Sequence, residues 1–153
     1  TFAREFLETQ WRGLPFVNAD AIAAGLAPLA PANVALAGGR LFLRELDSLA
    51  ESRADFAFES TLAGKTYLRR LSLWRDAGYR IHIHYLHMES AEACLRRIAT
   101  RVAQGGHDVR AEDVVRRFAR SWHNFLNLYR PLADRWSVVD NSGDHPILVE
   151  AGP

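Results

Sequence analysis

Glu59, Ser60, Thr61, Lys65 and Thr66 set a carboxylate, hydroxyls and an amine close together in the stretch Asp55-Phe56-Ala57-Phe58-Glu59-Ser60-Thr61-Leu62-Ala63-Gly64-Lys65-Thr66. Its apolar beginning reads as a short buried strand, its polar middle as a turn, and its end as the start of a helix. Strand-to-helix turns are where open α/β sheets bind ligands. Glu59 to Thr66 nearly spells a phosphate-binding loop, G-x-x-x-x-G-K-[ST], but Glu59 stands where the first glycine belongs. A phosphate cradle needs inward-pointing N–H groups and no negative charge beside them. A glutamate there is better suited to accept hydrogen bonds from a sugar or alcohol, or to hold a metal through water. Three readings follow: a site for an acceptor substrate, a degenerate phosphate loop, and a plain structural turn.

Asp20 is the second candidate. Phe16-Val17-Asn18 reads as a short strand and Ala19-Asp20-Ala21-Ile22 as the opening of a helix. Asp20 is then either an N-terminal cap, worth about 1 kcal/mol, or a general base at the carboxyl edge of a sheet. A third group is cationic. Arg97 and Arg101, four apart, share a helix face. Gly105-Gly106-His107-Asp108 breaks that helix, and a second one, resuming near Arg110, carries Arg116, Arg117 and Arg120. The planar guanidinium fork donates two hydrogen bonds at once to phosphate. A hinged lid bearing such forks can close over a transferring phosphoryl group. The alternatives are a solvated basic face and, given the interleaved Trp122, Phe125 and Tyr129, an RNA-binding face.

His82, His84 and His87 resemble part of H-x-H-x-D-H, a metal motif of the metallo-β-lactamase fold, but Leu86 occupies the aspartate position. A metal site needs a full, oriented ligand set. His107, His123 and His145 lack close partners in the sequence, so half-buried strand histidines are the stronger reading. Asp140-Asn141-Ser142-Gly143 is a turn that either ends a strand or touches a base or ribose at a sheet edge.

The elements that must position these groups follow from periodicity. Residues 1–10 read as the tail of a helix, with Phe2, Phe6 and Leu7 on one face. Gly13 and Pro15 break it. Pro28 and Pro31 frame a turn before a helix over 32–50, striped by Phe42, Leu46 and Leu49. Gly38-Gly39 weakens that helix and is expected to permit a close approach. A strand over 55–59 leads to a helix over 66–77, with Tyr67, Leu71 and Trp74 inward and Gly78 ending it. Residues 79–87 alternate as a strand. Ser90 caps the next helix, whose buried stripe is Ala91, Leu95, Ile98 and Val102. Val114, Phe118, Trp122 and Phe125 make the apolar side of the arginine helix. Strands at 136–139 and 146–149 close the chain.

At 153 residues the sequence suits one domain. A net charge of +1 gives no general reason to expect nucleic acid or a membrane as partner. Its single cysteine, Cys94, cannot form an internal disulfide, which favours a reducing, cytoplasmic setting. No apolar run approaches the roughly 18 residues of a membrane span.

In order along the chain, Phe16-Val17-Asn18-Ala19-Asp20, Phe56-Ala57-Phe58-Glu59-Ser60-Thr61-Leu62, Arg101-Val102-Ala103-Gln104-Gly105-Gly106-His107-Asp108, Arg116-Arg117-Phe118 and Asp140-Asn141-Ser142 resemble the zeta-toxin-like P-loop kinases, in particular a small bacterial branch of predicted ATPases. The resemblance implies a three-layer α/β/α kinase fold with a parallel five-stranded sheet and a helical, arginine-bearing lid. It implies ATP and Mg²⁺ as cofactors and a small hydroxyl-bearing substrate, which for characterised zeta toxins is UDP-N-acetylglucosamine. A cognate antitoxin is the protein partner it suggests. By position, Asp20 is then the base for the sugar hydroxyl, Asn18, Glu59 and Thr61 hold the acceptor, and Arg101, Arg116 and Arg117 are the catalytic lid cations. Asn141 and Thr1 are the nucleotide-binding candidates. Members of this family carry a first strand and a Walker A loop just before the helix that starts here with Thr1. Neither is in the sequence, and Lys65 lies on the acceptor side. The expectation is that the 153 residues alone hydrolyse no ATP, and that about 15–20 upstream residues, a strand plus a phosphate loop, would restore nucleotide binding. The rival readings are a non-catalytic, partner-binding remnant of such a kinase and a hydrolase using a metal on His82, His84 and His87.

Overall fold

The computed structural model describes residues 2–104, 106, 108–143 and 145–153, at residues 2, 4 and 32 the backbone alone. The protein is a mixed α/β chain that divides into two compact units, residues 1–60 and 61–153.

In the first unit, helix α1 (Phe2–Gln10) precedes strand β1 (Phe16–Val17), helix α2 (Ala19–Leu26), a 3-10 turn (Pro31–Val34), helix α3 (Ala35–Glu51) and strand β2 (Ala57–Phe58). β1 and β2 pair in parallel, Phe16 with Ala57 and Val17 with Phe58. Parallel neighbours need a long crossover, and α2 with α3 provide it. Val17, Ala23, Phe42 and Leu46 form the buried core, and the Phe42 ring meets Phe58 edge-on at 6.0 Å. Gly38 explains the weak point in α3. A Cβ there would lie 3.2 Å from the Ala23 Cβ, so the missing side chain lets α2 and α3 approach. The cap of α2 corrects one sequence expectation. Asn18, not Asp20, is the N-cap: its Oδ1 accepts from the Ala21 N–H at 2.9 Å. Asp20 sits one position inside the helix, in its first turn. There a carboxylate still complements the positive end of the helix dipole.

The second unit opens with an irregular segment, then helix α4 (Leu68–Asp76), strand β3 (His82–His87), helices α5 (Ala91–Ala103) and α6 (Ala111–Asn124), a π-helical turn (Phe125–Tyr129), a 3-10 turn (Arg130–Leu132) and strands β4 (Arg135–Asp140) and β5 (Ile147–Gly152). α4 ends as its glycine predicts. Gly78 has φ +97, its N–H donates to Arg75 O at 2.9 Å, and the Tyr79 N–H reaches Trp74 O at 3.0 Å, a Schellman cap. That cap shortens the expected strand. Tyr79 is spent on the helix end, and the Ile81 N–H donates to the Asp134 carboxylate at 2.7 Å, so ladder pairing begins at His82. Ser90 caps α5 through the Ala93 N–H at 3.1 Å.

β3 and β4 run parallel, from His82 opposite Arg135 to His87 opposite Asp140. β5 returns antiparallel to β4 with an irregularity at Val138/Val139. The single parallel five-stranded sheet that the resemblance implied is therefore not the pairing found. Strands pair as two and three among the described residues, and the connection between β4 and β5 is too short for a parallel crossover. The core here holds Leu71, Trp74, Ile81, Val114, Phe125, Tyr129, Val138 and Val139. The Phe125 ring stacks on Tyr85 at 4.5 Å and meets Trp136 edge-on at 6.3 Å. No described helix is long and apolar enough to cross a membrane.

Candidate functional site

Asn18 and Glu59 are the residues that follow the paired ends of β1 and β2. The in-register parallel pairing carries both past the same, carboxyl edge of the strands. There the Asn18 amide donates through Nδ2 to Glu59 Oε2 at 2.6 Å, while its Oδ1 caps α2. One side chain thus locks the helix start to the carboxylate. Glu59 remains exposed, and so does Asp20 on the first turn of α2. Two carboxylates at or beside the start of a helix, one of them held by an amide, can accept hydrogen bonds from hydroxyls and take up a proton. An open groove of about 760 Å³ runs alongside, lined by Phe16, Asn18, Ile22, Arg44, Glu45 and Ser48 among others. Its charged lining residues are Arg44 and Glu45, with Val17, Ile22, Leu41 and Leu49 as the apolar part; Asn18 alone of the three site residues reaches it.

The other candidates belong to the second unit. Thr61 is exposed, and its Oγ1 accepts from the Ala63 N–H at 3.4 Å. Arg101 lies in the last turn of α5. The Gly106 N–H donates to Arg101 O at 2.9 Å, and a Cβ on Gly106 would stand 2.8 Å from that oxygen, so a glycine is required for the chain to leave the helix this closely. Gly105 and His107 of the expected hinge, like Thr1, lie outside the described residues. Arg116 bonds Asp113 at 2.5 Å across one turn of α6, and Arg117 is exposed beside it. Exposed pairs of this kind are worth little, so Arg116 can exchange its partner for phosphate at small cost.

Asn141 is buried. Its N–H donates to His87 O at 2.9 Å, and its carbonyl accepts from Arg97 Nη1 at 3.2 Å. Asp140 accepts from the Ser142 N–H at 2.9 Å, and Ser142 Oγ accepts from the Glu89 N–H at 2.8 Å. The Ser142 hydroxyl first, and then the Ser142 N–H, hold the Asp140 carboxyl below its ordinary range. The Asp-Asn-Ser turn therefore knits together the carboxyl ends of β3 and β4.

The histidines separate. Side chains alternate along a strand, so His82 and His84 share one face of β3 and His87 takes the other. His87 meets the Trp122 ring at 5.1 Å, while His84 Nδ1 pairs with Ser137 Oγ at 2.7 Å. Among the described residues no three His, Cys, Asp or Glu side chains cluster as metal ligands do. Loss of solvent around the His84 ring lowers its pKa from 6.5, and His82 lowers it further. Unfolded, the residue binds a proton more readily, so stability declines as pH drops below about 6.5 and through the lowered folded value. Urea unfolding between about pH 8 and pH 5 is expected to show a shallower decline in His84→Gln than in the native protein. An unchanged slope would remove this assignment. Burial likewise raises the Cys94 thiol, which makes it a poor nucleophile.

Sequence reasoning missed what holds the Thr61 segment. Ser121 Oγ donates to Thr61 O, Asn124 Nδ2 to Leu62 O at 2.8 Å, and Tyr129 Oη to Gly64 O at 2.6 Å. The available signal was two polar residues, Ser121 and Asn124, set among the apolar positions of α6.

No family model matches the chain, and no solved structure matches it. The chain is similar to an uncharacterized protein of Haemophilus influenzae, 30% identical over 100 residues, which cover 65% of this chain and 71% of that protein. This chain belongs to the same family as that Haemophilus influenzae protein.

Proposed function

We propose that the protein is a phosphotransferase of the zeta-toxin type, with a P-loop kinase fold, that moves the γ-phosphoryl group of ATP to a hydroxyl of a small molecule, UDP-N-acetylglucosamine or a related sugar nucleotide. The observation that carries the reading is the Asn18–Glu59 bond at 2.6 Å past the ends of two parallel strands, with Asp20 exposed on the helix that Asn18 caps. Asp20 takes the acceptor's proton, Glu59 and Asn18 orient its hydroxyls, and Thr61 adds a donor. Arg101, Arg116 and Arg117 are the cations for the phosphoryl oxygens. Magnesium bound with a nucleotide needs only one or two protein carboxylates beside phosphate and water oxygens. The exposed Glu59 fits that requirement, so the lack of a three-residue cluster among the described residues does not count against it. When bound, the ion neutralises charge on the phosphates. Cytoplasmic action and restraint by an antitoxin protein belong to the same proposal.

The test is a screen of hydroxyl acceptors with labelled ATP, on a protein carrying a strand and a phosphate loop ahead of Thr1. Label is expected on a sugar nucleotide. Transfer to none of the acceptors, from a protein that binds ATP, would remove the reading.

A further inference from the structure

Residues Thr61 to Gly64 form no helix or strand, yet their backbone is held at three points. Ser121, Asn124 and Tyr129 each donate a side-chain hydrogen bond to a carbonyl in this segment, those of Thr61, Leu62 and Gly64. The Tyr85 hydroxyl lies 3.0 Å from Ser121 Oγ. A carbonyl can only accept, so Ser121 spends its proton on Thr61 O and Tyr85 donates to Ser121. Asn124 is 7% exposed and Tyr129 0%, so the bonds these two make are partly shielded from water, while the Ser121 bond is exposed. Between the anchors, Leu62 has φ +53, a left-handed conformation that a side chain with a branched Cγ rarely adopts without enforcement.

The helix geometry accounts for the three-point match. Ser121 and Asn124, three apart, share a face of α6. Tyr129 is five residues beyond Asn124, and at about 100° per residue an α-helix would turn it roughly 140° away. The π-helical turn Phe125–Tyr129 bonds i to i+5 and, being wider than an α-helical turn, brings residues four to five apart onto roughly the same face. It thereby returns Tyr129 to the face of Asn124. Such turns are found frequently at functional sites.

We propose that Ser121, Asn124 and Tyr129 are positioning residues: they fix the Thr61–Gly64 backbone so that the Thr61 hydroxyl is presented, in one orientation, to a sugar oxygen of the acceptor. The Ala63 N–H already occupies a lone pair of that hydroxyl, which leaves its O–H to donate. This inference rests on the acceptor role of Thr61 in the phosphotransferase reading.

Two measurements on the 153-residue chain separate the device from that reading. Hydrogen exchange of the 61–66 segment, read by mass spectrometry, is expected to quicken by roughly tenfold in Ser121→Ala, Asn124→Ala and Tyr129→Phe, the loss of one hydrogen bond each, while exchange in α5 stays as it was. Tyr129→Phe removes one oxygen and no packing, so it carries the test if another variant unfolds. Unaltered exchange in Tyr129→Phe overturns the clamp. The dissociation constant for UDP-N-acetylglucosamine, by calorimetry, is expected to rise about three- to tenfold in the same variants. Adding Leu62→Gly to Asn124→Ala should recover part of it, because glycine takes φ +53 without enforcement. Faster exchange with unaltered affinity overturns the positioning role. If the native chain does not bind the sugar nucleotide, the phosphotransferase reading loses its acceptor, and the exchange result still decides whether the clamp exists.

Discussion

Asp20→Asn is expected to lower phosphoryl transfer by about 10²–10⁴-fold, the usual worth of a positioned general base. The amide keeps the size and polarity of the carboxylate but cannot accept a proton. The fold should be little affected. Asp20 is exposed, and the helix cap is supplied by Asn18 through the Ala21 N–H. The only structural loss is one favourable charge in the first turn of α2, worth about 0.3–1 kcal/mol. Transfer assays with the identified acceptor, paired with thermal unfolding, therefore separate chemistry from stability. Asn18→Ala offers the contrast: it removes both the cap and the bond to Glu59, so stability and activity should fall together. An Asp20→Asn protein with undiminished turnover would end the base assignment and leave Asp20 as a dipole-complementing residue alone.

Phe125→Ala is expected to cost about 3–5 kcal/mol, the range for emptying a large aromatic site in a core. Phe125 is fully buried at 0% exposure. Its ring stacks on Tyr85, lies 5.8 Å from Trp122 and meets Trp136 edge-on. It thus joins the π-helical turn, β3, α6 and β4. A loss of that size is a large share of the roughly 5–15 kcal/mol that hold a typical domain folded. Urea unfolding followed by tryptophan fluorescence measures it, since two of the four tryptophans border the site. A cost below about 1 kcal/mol, the level of ordinary surface changes, would mean that these rings do not form the packed centre of the second unit.

Much of this architecture was legible because local physics specified it. Gly78 stops α4 because a left-handed residue is needed there, and Ser90 caps α5 because its hydroxyl, on extended backbone, accepts from the Ala93 N–H. The apolar stripes of Phe42 with Leu46, of Leu71 with Trp74, and of Val114 with Phe125 fall inward as their spacing requires. Gly38-Gly39 announced a close approach, but only the packing of α2 on α3 showed that Ala23 was its object. Asp20 was a plausible cap by type and position. Asn18 won because the strand ends one residue earlier and places its amide, extended, ahead of the first helical N–H groups.

The sequence by itself determined which residues could do chemistry, and which helices and strands would carry them, since both depend on neighbours a few positions apart. Tertiary structure alone decided that Asn18 would grip a carboxylate 41 residues away, and that His87 would meet the Trp122 ring. It also decided that Ser121, Asn124 and Tyr129 would hold a segment 60 to 65 residues upstream. Those outcomes depend on strand register and on the extra rotation of one π-helical turn, and neither leaves a local periodic signature in the chain.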